Sequence, residues 1–332
     1  MKRSPSWTTL LTRSAKTMAR SAMKAASRNS RAALKTARSR TTKSVGPGDW
    51  LAGIAGGASG MRRFRLFRPH GLLPGQRAPL IVMLHGCQQD ARSFATSTRM
   101  NLLAARERFL VLYPEQDRAF NAGGCWNWFD SKSGRAQVEA GLIIKAIDQV
   151  CQLYLADPHR VGVAGLSAGA SMAALLGSTY PDRFKAVTMH SGIPPGAADS
   201  SLSAMRAMQG QRAPPSPSAA TRSAALPPLM VIQGGADPVV SASNGEAAAH
   251  WWAEATGAMP STVKTVQRGQ RYPQRVTDFR RNGVTRARWV VIEQLGHAWS
   301  GGARNERFSD NNGPDASLMV WRFASKQFAL AP

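Results

Sequence analysis

The chain has 332 residues, of which 43% are hydrophobic, and this is enough apolar sequence to fill the core of one globular domain of roughly 260–270 residues. Its formal net charge is +24 at pH 7, but residues 1–48 contain twelve Lys or Arg and no Asp or Glu, so the other 284 residues carry +12. No apolar run approaches the length of a membrane-spanning helix, and the basic segment has no apolar run longer than Leu10-Leu11, so we expect neither an integral membrane protein nor a secretory signal.

Residues 1–48 are predicted to be a basic leader that is disordered or conditionally helical. Eight cations recur every three or four residues and would lie along one stripe of a helix. They are Arg13, Lys16, Arg20, Lys24, Arg28, Arg31, Lys35 and Arg38. Repulsion along this stripe opposes folding of the free segment, for which a solvated tail is an equally good interpretation. An anionic surface would neutralise the stripe, and the candidates are a storage granule, a membrane, polyphosphate or, nonspecifically, nucleic acid, with a mitochondrial-type presequence as a minor alternative.

Residues 49–61 are rich in glycine and are predicted to be a hinge between the leader and a domain formed by residues 62–330. Within that domain, apolar runs typical of buried strands alternate with segments of helical periodicity. The strand candidates are residues 62–67, 80–84, 109–113, 161–164, 184–189, 229–233 and 289–293, and the helix candidates include residues 90–108, 135–154 and 170–176. This alternation predicts the α/β class, with a mostly parallel central sheet covered by helices on both faces.

Two segments interrupt the alternation. Residues 194–228 are rich in Ser, Ala and Pro, with a short helix candidate at residues 202–208. This insertion would lie over the carboxyl edge of the sheet, where it would form either a rim or cap or a disordered surface loop. Residues 262–285 are polar and are predicted to form a hairpin or another excursion before the last strand.

The segment Gly165-Leu166-Ser167-Ala168-Gly169 places a serine between a buried strand and a helix of small residues. Glycines on both sides allow the backbone to crowd into a sharp turn, and the helix N-terminus behind the serine favours developing negative charge. Ser167 is therefore the candidate nucleophile of a serine hydrolase, and the alternative is an ordinary tight turn.

Two further side chains complete a candidate catalytic triad. Asp237 lies on a turn directly after the strand candidate at residues 229–233, and His297 follows the strand candidate at residues 289–293, which gives the chain order serine, acid, histidine. His297 would take the proton of Ser167 during attack on an ester, and Asp237 would orient the imidazole. Asp199 and Asp278 are weaker candidates for the acid because neither directly follows a buried strand.

The oxyanion of an ester hydrolase needs backbone donors, one of them the N–H after the nucleophile, which is that of Ala168. The second donor should come from the loop after an earlier strand, and residues 80–84 run into such a loop at His85-Gly86-Cys87. The N–H of Cys87 is the candidate because Gly86 permits the turn, and His85 is then expected to pin the loop.

Three cysteines do not make a disulfide framework, and an odd number suits a reducing compartment. Cys87 and Cys125 both lie on loops at the predicted active-site edge, so they either pair or stay reduced, whereas Cys151 falls on a helical face. No metal is expected because no His/Cys cluster has ligand spacing, and no cofactor is expected because no glycine-rich loop has the phosphate-binding form.

Five ordered motifs together resemble the esterase family of poly(3-hydroxybutyrate) depolymerases, which is related to feruloyl and acetylxylan esterases. They are His85-Gly86-Cys87-Gln88-Gln89, Tyr113-Pro114-Glu115-Gln116, Cys125-Trp126-Asn127-Trp128-Phe129, the turn at residues 165–169, and Gly296-His297-Ala298-Trp299. The resemblance implies an α/β-hydrolase fold, the triad Ser167, Asp237 and His297, and an oxyanion hole made by the amides of Cys87 and Ala168. It also implies that the segment Trp126, Asn127 and Trp128 corresponds to the substrate cleft.

Trp299 is predicted to join this cleft, since two-residue alternation after His297 would put both side chains on one side. An apolar slot suits methyl-bearing hydroxyalkanoate units, and a hydroxycinnamate ring would also stack there. The alternative is that these tryptophans pack in the core.

The leading hypothesis is a serine esterase that hydrolyses poly- or oligo(3-hydroxyalkanoate) esters through an acyl-enzyme on Ser167. With no secretion signal and no separate polymer-binding domain at the C-terminus, we expect a cytoplasmic protein, associated with storage granules through its leader. The first alternative changes the substrate to a feruloyl, acetyl or other small ester. An alternative of another class is a non-catalytic granule- or nucleic-acid-binding protein on a hydrolase scaffold.

Overall fold

The structure of the protein, a computed structural model, describes residues 45–57, 60–73, 75–223 and 225–330. The predictions for residues 1–44 of the leader lie outside the described residues. Within the described ranges, no helix combines the length and the apolar character needed to cross a bilayer.

The strands and helices of the described residues alternate along most of the chain. The strands are β1 (Gly48–Gly57), β2 (Gly60–Pro69), β3 (Ala78–Leu84), β4 (Leu110–Pro114), β5 (Ala156–Leu166), β6 (Ala186–His190), β7 (Leu229–Gly234), β8 (Met259–Pro260), β9 (Lys264–Val266), β10 (Gln274–Arg281), β11 (Val284–Ile292), β12 (Trp299–Ser300) and β13 (Ser309–Asp310). The helices are α1 (Ala91–Thr98), α2 (Met100–Glu107), α3 (Arg135–Leu153), α4 (Ala168–Thr179), α5 (Ser201–Met208), α6 (Ala219–Ser223), α7 (Ser243–Thr256) and α8 (Ala316–Ala329), with a short 3₁₀ turn at Pro181–Arg183.

One large sheet runs in the order β1-β2-β4-β3-β5-β6-β7-β11-β10-β8, and β9 pairs with β10. The strands from β4 to β11 in this order are parallel, and antiparallel strands flank them on both sides. In register, Leu166 of β5 lies opposite His190 of β6, and His190 lies opposite Ile232 of β7. The loops that follow these strands therefore leave the sheet at one edge.

Helices cover both faces of the sheet, as the sequence predicts. The helices α3, α4 and α7 pack on one face, and α1, α2 and α8 pack on the other. In β3, Leu80, Val82 and Leu84 join the first core, whereas Ile81 and Met83 join the second. A strand buried on both faces reads as a continuous apolar run, which is why the central strands could be located from the sequence.

The prediction of a glycine-rich hinge at residues 49–61 is wrong, because most of that segment is strand β1. It pairs with β2 along its whole length, and its Trp50 and Ala55 are buried. A Cβ on Gly53 would lie 2.1 Å from Cζ of Phe64, so the glycine leaves room for the phenyl ring across the strand. The glycines that suggested a flexible linker therefore serve close packing.

The predicted helix over residues 90–108 is two helices, α1 and α2, joined at Arg99 in the left-handed conformation (φ 55°). Asp90 caps α1 by accepting a hydrogen bond from the Ser93 N–H.

The hairpin interpretation of residues 262–285 is confirmed: β10 and β11 are joined at Asn282 and Gly283, both with positive φ, as a two-residue type I′ turn requires.

The insertion at residues 194–228 contains α5 and α6. Four of its alanines form a small apolar cluster with Ile193 and Val240, against which Trp128 and Phe129 pack. An ion pair of 2.7 Å between Lys132, which follows Phe129 in the chain, and Asp199 of the insertion joins the same two segments. The first part of the insertion therefore packs beside the turn that carries Asp237, and its role as a cap stays a prediction.

Candidate active site

Ser167 lies on the turn between β5 and α4, where the chain leaves the carboxyl edge of the sheet. Its backbone has φ 57° and ψ −122°, a conformation that side-chain-bearing residues rarely adopt. The Ser167 N–H donates to the carbonyl oxygen of His190 at 2.9 Å, which holds the turn against β6. This is the sharp strand-to-helix turn that the sequence predicts.

Gly165 and Gly169 make this turn sterically possible. A Cβ on Gly165 would lie 2.2 Å from the carbonyl oxygen of Gly169, and a Cβ on Gly169 would lie 2.1 Å from that of Leu84 in β3. Both contacts are with backbone atoms, which cannot rotate away as a side chain can. The two glycines let α4 start against β3, with Ser167 at its N-terminus.

Asp237 and His297 are joined by a hydrogen bond of 2.8 Å between Asp237 Oδ2 and His297 Nδ1. Asp237 follows β7 and His297 follows β11, and these parallel neighbours bring together residues 60 positions apart. The two loops are also joined through their backbones, since the Gly235 N–H donates to the Ile292 carbonyl at 2.8 Å. The acid and the imidazole therefore form one connected unit.

The environment of Asp237 keeps it ionised. Burial raises the pKa of this carboxyl, but the hydrogen bond and charge of His297, together with the N–H groups of Val239 and Val240 at 2.9 Å, outweigh burial, so the pKa lies below its ordinary value. An ionised carboxylate only accepts hydrogen bonds, so His297 donates through Nδ1. The other ring nitrogen, Nε2, is then the basic one that a serine base requires.

The structure brings Asp237 and His297 into contact and sets Ser167 on the same edge of the sheet. Within the described ranges, no hydrogen bond joins Ser167 Oγ to the His297 ring. In a free enzyme such contacts are often long and tighten only when substrate binds. The assignment of the three residues as one triad stays a prediction supported by this arrangement.

His190 lies between the two halves of the site. Its ring Nε2 accepts a hydrogen bond from the Ser300 N–H at 3.2 Å, while Nδ1 lies 3.2 Å from Ser191 Oγ. Burial lowers the pKa of His190 to about 3, and the charge of His297 acts in the same direction. His190 is therefore a neutral, fully buried residue that contacts the turn of Ser167 on one side and the loop of His297 on the other.

The predicted oxyanion loop lies beside Ser167. A Cβ on Gly86 would be 3.6 Å from Ser167 Cβ, so the loop after β3 passes directly over the nucleophile turn. In the part of the chain that the structure describes, neither the Cys87 N–H nor the Ala168 N–H donates to a protein group. Two unused backbone donors next to one serine are what an oxyanion hole requires, and this supports the prediction for Cys87 and Ala168.

The oxyanion loop is tied to the segment at residues 121–127. A disulfide joins Cys87 to Cys125, which answers the question that the sequence left open, and Cys151 is free and buried. The Gln88 N–H donates to the Gly123 carbonyl at 2.9 Å beside this bridge. Since disulfides persist in oxidising compartments, the bridge counts against the reducing compartment that the odd number of cysteines suggested.

His85 pins the same loop from inside, as expected. Its Nε2 accepts from the Gln116 N–H at 3.1 Å, which leaves Nδ1 as the donor to the Gly86 carbonyl at 2.8 Å. Burial lowers the pKa of His85 to about 4, so the ring is neutral at physiological pH and keeps this pattern.

The prediction that Trp126 and Asn127 line a substrate cleft is wrong. Trp126 is 0% exposed, and its Nε1 donates to the His85 carbonyl at 3.0 Å. Asn127 is buried with its backbone and side-chain nitrogens on the carboxylate of Glu139. These residues support the oxyanion loop from behind, and the glycines before them gave no sign of that distant partner.

Trp299 is also 0% exposed, so its predicted contact with substrate is wrong as well. Its Nε1 donates to Ser317 Oγ at 3.1 Å, its ring stacks on His190, and its ring and that of Phe94 form a T-shaped pair. Trp128 is only half-buried and packs against the insertion, so of the four predicted cleft residues it alone keeps the exposure that a substrate contact needs.

Sequence reasoning missed Gln233, which positions the acid turn. This residue is buried in β7, and its Nε2 donates to the Val240 carbonyl at 3.1 Å and lies 3.5 Å from Asp237 Oδ2. The signal was a glutamine at the end of an otherwise apolar strand. Its partners lie on the turn that follows the strand, which the local pattern does not show.

The weaker candidates for the acid are engaged elsewhere. Asp278 is held by Arg288 at 2.6 Å and Arg280 at 3.0 Å, and Asp199 pairs with Lys132. Across the described segments, no three His, Cys, Asp or Glu side chains come together as a metal-binding group.

Comparison with known proteins places this site in context. A family model described as esterase PHB depolymerase matches residues 63–268. Poly(3-hydroxyalkanoate) depolymerase C of Paucimonas lemoignei is 39% identical over 132 residues, which are 40% of this chain and 32% of that protein. Acetylxylan esterase A of Emericella nidulans is 31% identical over 136 residues, covering 40% of this chain and 43% of that protein. The chain thus spans less than half the length of these relatives.

Solved structures share the fold. An acetyl xylan esterase from Aspergillus awamori superposes with a TM-score of 0.58 at 20% identity, covering 71% of this chain and 89% of that one. A thermostable esterase superposes with a TM-score of 0.51 at 16% identity, covering 85% and 63%. Together with the mostly parallel sheet and its helices, these likenesses confirm the α/β-hydrolase fold that the motifs implied.

Proposed function

The chain belongs to the PHB depolymerase family of esterases, and on that premise we propose that it hydrolyses carboxylic esters through an acyl-enzyme on Ser167. The observation that carries this proposal is the contact between ionised Asp237 and His297, which stands on the same sheet edge as a strained serine turn. A serine hydrolase needs this combination of acid, base and serine hydroxyl.

The reaction follows from the geometry of these groups. His297 Nε2 accepts the proton of Ser167 Oγ as the oxygen bonds to the ester carbonyl, and the N–H groups of Cys87 and Ala168 hold the resulting oxyanion. The carbonyl re-forms, the alcohol leaves with the proton from His297, and the acyl group stays on Ser167. Water then attacks the acyl-enzyme and gives its proton to His297. The bond between the acyl carbon and Ser167 Oγ breaks as His297 returns that proton to the serine, and the carboxylic acid is released.

For the substrate we propose short-chain hydroxyalkanoate esters, as oligomers or an amorphous polyester. Leu202 and Met205 on α5 are 61% and 60% exposed, and Val239, two residues after Asp237, is 43% exposed. The Ser241 N–H donates to the Met208 carbonyl, so the end of α5 is bonded to the turn of the acid. Exposed apolar side chains beside a catalytic edge suit an apolar polyester chain.

A second candidate is hydrolysis of acetyl or feruloyl esters. It is supported by the similarity to acetylxylan esterase A of Emericella nidulans, and by feruloyl esterase B of Neurospora crassa, which is 33% identical over 117 residues. The chemistry at Ser167 is the same for both candidates, and only the alcohol and acyl groups differ.

The nucleophile is tested with p-nitrophenyl butyrate. We expect Ser167→Ala to reduce turnover by at least about a thousandfold, because the covalent step is lost. His159→Ala, which changes an exposed histidine outside the site, is the matched control and should keep full activity. If Ser167→Ala keeps its melting temperature and its turnover, the hydrolysis does not use Ser167 and the proposed nucleophile is wrong. If the unmodified chain shows no turnover, the chain is instead a binding protein on a hydrolase scaffold.

The substrate class is tested by comparing product release from hydroxybutyrate oligomers, amorphous polyester granules, acetylated xylan and methyl ferulate. We expect the oligomers and granules to be preferred. The double variant Leu202→Ser/Met205→Ser should slow granule hydrolysis while p-nitrophenyl butyrate turnover is unchanged, because only the polymer needs the apolar rim. Preference for acetylated xylan or methyl ferulate, with ordinary p-nitrophenyl butyrate turnover, would favour the second candidate.

A further inference from the structure

A groove lined by other residues than those of the candidate active site runs between α8 and the strands β9, β10 and β11. The helix packs over β5, β6 and β7, so β9 and β10 extend beyond it. Two adjoining cavities of about 430 and 310 Å³ occupy the space, and the same five residues line both. They are Val266, Arg268, Gln274, Met319 and Arg322. None of the residues that line the groove belongs to the proposed triad or oxyanion hole.

Each wall of the groove is one face of a regular element. On β10, every second residue from Gln274 to Arg280 lines it, as strand alternation requires. On α8, Met319, Arg322 and Lys326 line it on successive turns. The helical wall from Asp315 to Lys326 is roughly 16 Å long, so the groove is an extended feature rather than a single pit.

The charge of the lining is strongly positive. Seven basic side chains line the two cavities against two acidic ones, which are Asp278 and Asp315. The basic residues are Lys264, Arg268, Arg271, Arg280, Arg288, Arg322 and Lys326. The two carboxylates are already used: Asp278 binds Arg288 and Arg280, and Asp315 caps α8 by accepting from the Leu318 N–H at 2.9 Å.

Four cations on the two walls have no acidic partner. In the residues that the structure describes, Lys264, Arg268, Arg322 and Lys326 form no ion pair. Like charges facing each other across a narrow groove repel, and a multivalent anion between them removes that cost. The walls are therefore arranged to gain from an anion that touches both.

The floor adds a second, independent sign of a ligand. Gln274 lines both cavities, and its Oε1 is buried without a hydrogen-bond partner. A buried amide oxygen without a partner is costly, and turning the amide by 180° would present its NH₂ group at the same position as a donor. Apolar side chains of Val276, Val290 and Met319 line the same cavity and lower the dielectric within it.

We propose that this groove binds a linear oligophosphate, through charge-assisted hydrogen bonds from Arg268 and Arg322 and the ammonium groups of Lys264 and Lys326. Guanidinium groups fit phosphate oxygens in a bidentate manner, and two facing walls of cations fit a chain of phosphates better than a single anion. The space is too small for a nucleic-acid duplex. Of the aromatic residues in the lining, Phe323 is nearly buried and only Tyr272 is left to stack a base, so a phosphate chain fits better than single-stranded nucleic acid.

The test measures binding of tripolyphosphate to the full chain by calorimetry at fixed ionic strength. Arg322→Gln/Lys326→Gln should weaken binding by about tenfold or more. The matched control, Arg63→Gln/Lys145→Gln, removes two exposed cations outside the groove and should bind like the unmodified protein. Turnover of p-nitrophenyl butyrate and the melting temperature should be unchanged in both, so the result does not depend on the proposed esterase function.

Three further measurements separate a built site from general positive charge. Gln274→Leu keeps the net charge and should still weaken tripolyphosphate binding, because it removes the donor on the floor. Equal losses in the groove and control variants, or no loss in either, would overturn the proposal. Groove-dependent binding of phosphatidylglycerol vesicles or of oligo-dT, without groove-dependent binding of tripolyphosphate, would also overturn it and assign the groove to a lipid surface or to nucleic acid.

Discussion

His190 connects the nucleophile turn to the histidine loop through single atoms. Its carbonyl holds the Ser167 N–H, and its ring holds the Ser300 N–H, three residues after His297. Because burial lowers the pKa of His190 to about 3, the ring stays neutral and keeps a lone pair on Nε2. The unfolded residue titrates near pH 6.5. The stability that this difference provides is therefore complete above about pH 6.5 and is lost as the pH falls toward 3.

We expect His190→Leu to lower kcat by about tenfold or more with little change in KM, because the buried Ser300 N–H loses its acceptor and the loop of His297 loses its support. His190→Gln offers an amide oxygen at a similar reach and should recover most of the activity. His190→Gln should also make the urea midpoint of unfolding less dependent on pH between about 4 and 7, since the titrating imidazole is gone. Equal loss of kcat in both variants at unchanged melting temperature would argue against a positioning role.

At the same scale, sequence reasoning depended on signals in the neighbouring sequence. Ser167, Asp237 and His297 could be proposed as a triad because each follows a strand whose apolar run is visible in the sequence, and the structure brings Asp237 and His297 into contact. Trp126 and Trp299 were wrongly predicted to contact substrate. Their indole N–H groups donate to His85 and Ser317, and nothing in the neighbouring sequence indicates these distant partners. A tryptophan beside glycines looks exposed until such a partner is known.

Among the elements, the loop after β3 and the segment at residues 121–127 are joined by a disulfide and by hydrogen bonds. The disulfide spans 38 residues, and in a chain-entropy model a loop of that length contributes about 3–4 kcal/mol to stability. Hydrogen bonds from Gln88 and Trp126 reinforce the connection. Because the predicted oxyanion donor is the amide of Cys87, the bridge fixes the backbone where the reaction needs it fixed.

Reduction of the bridge should therefore lower kcat more than it changes KM. We expect a loss of about three- to thirtyfold, less than the hundredfold or more that removal of a whole oxyanion donor costs, because the hydrogen bonds remain. The measurement is turnover of p-nitrophenyl butyrate with and without dithiothreitol, with free thiols counted in parallel. Cys87→Ala/Cys125→Ala is the control and should be insensitive to the reductant; a fully reduced protein with unchanged kcat would refute the role of the bridge.

The strand β1 shows why another element could not be predicted. Glycine marks both flexible linkers and places where a ring lies across a strand, and only the position of Phe64 distinguishes the two. The same limit applies to α1 and α2, since the left-handed break at Arg99 has no proline or glycine to signal it. By contrast, the hairpin of β10 and β11 carries Asn282-Gly283, a turn signal with a direct physical cause.

For the whole molecule, the parallel sheet and its two helical layers were predictable because burial on both faces leaves a pattern in the strands themselves. The hydrogen bonds that join the loops to one another could not be predicted from the sequence. Asp237 and His297 are carried by neighbouring strands whose loops are bonded together, whereas Ser167 stands two strands away from β7, on the other side of β6. A motion of the sheet edge would therefore move Asp237 and His297 together. It would change mainly the distance between the Ser167 hydroxyl and the His297 imidazole. For the proposed triad, the decisive distance is the one between Ser167 Oγ and the His297 ring, and the strand that spaces the two halves is β6, between β5 and β7.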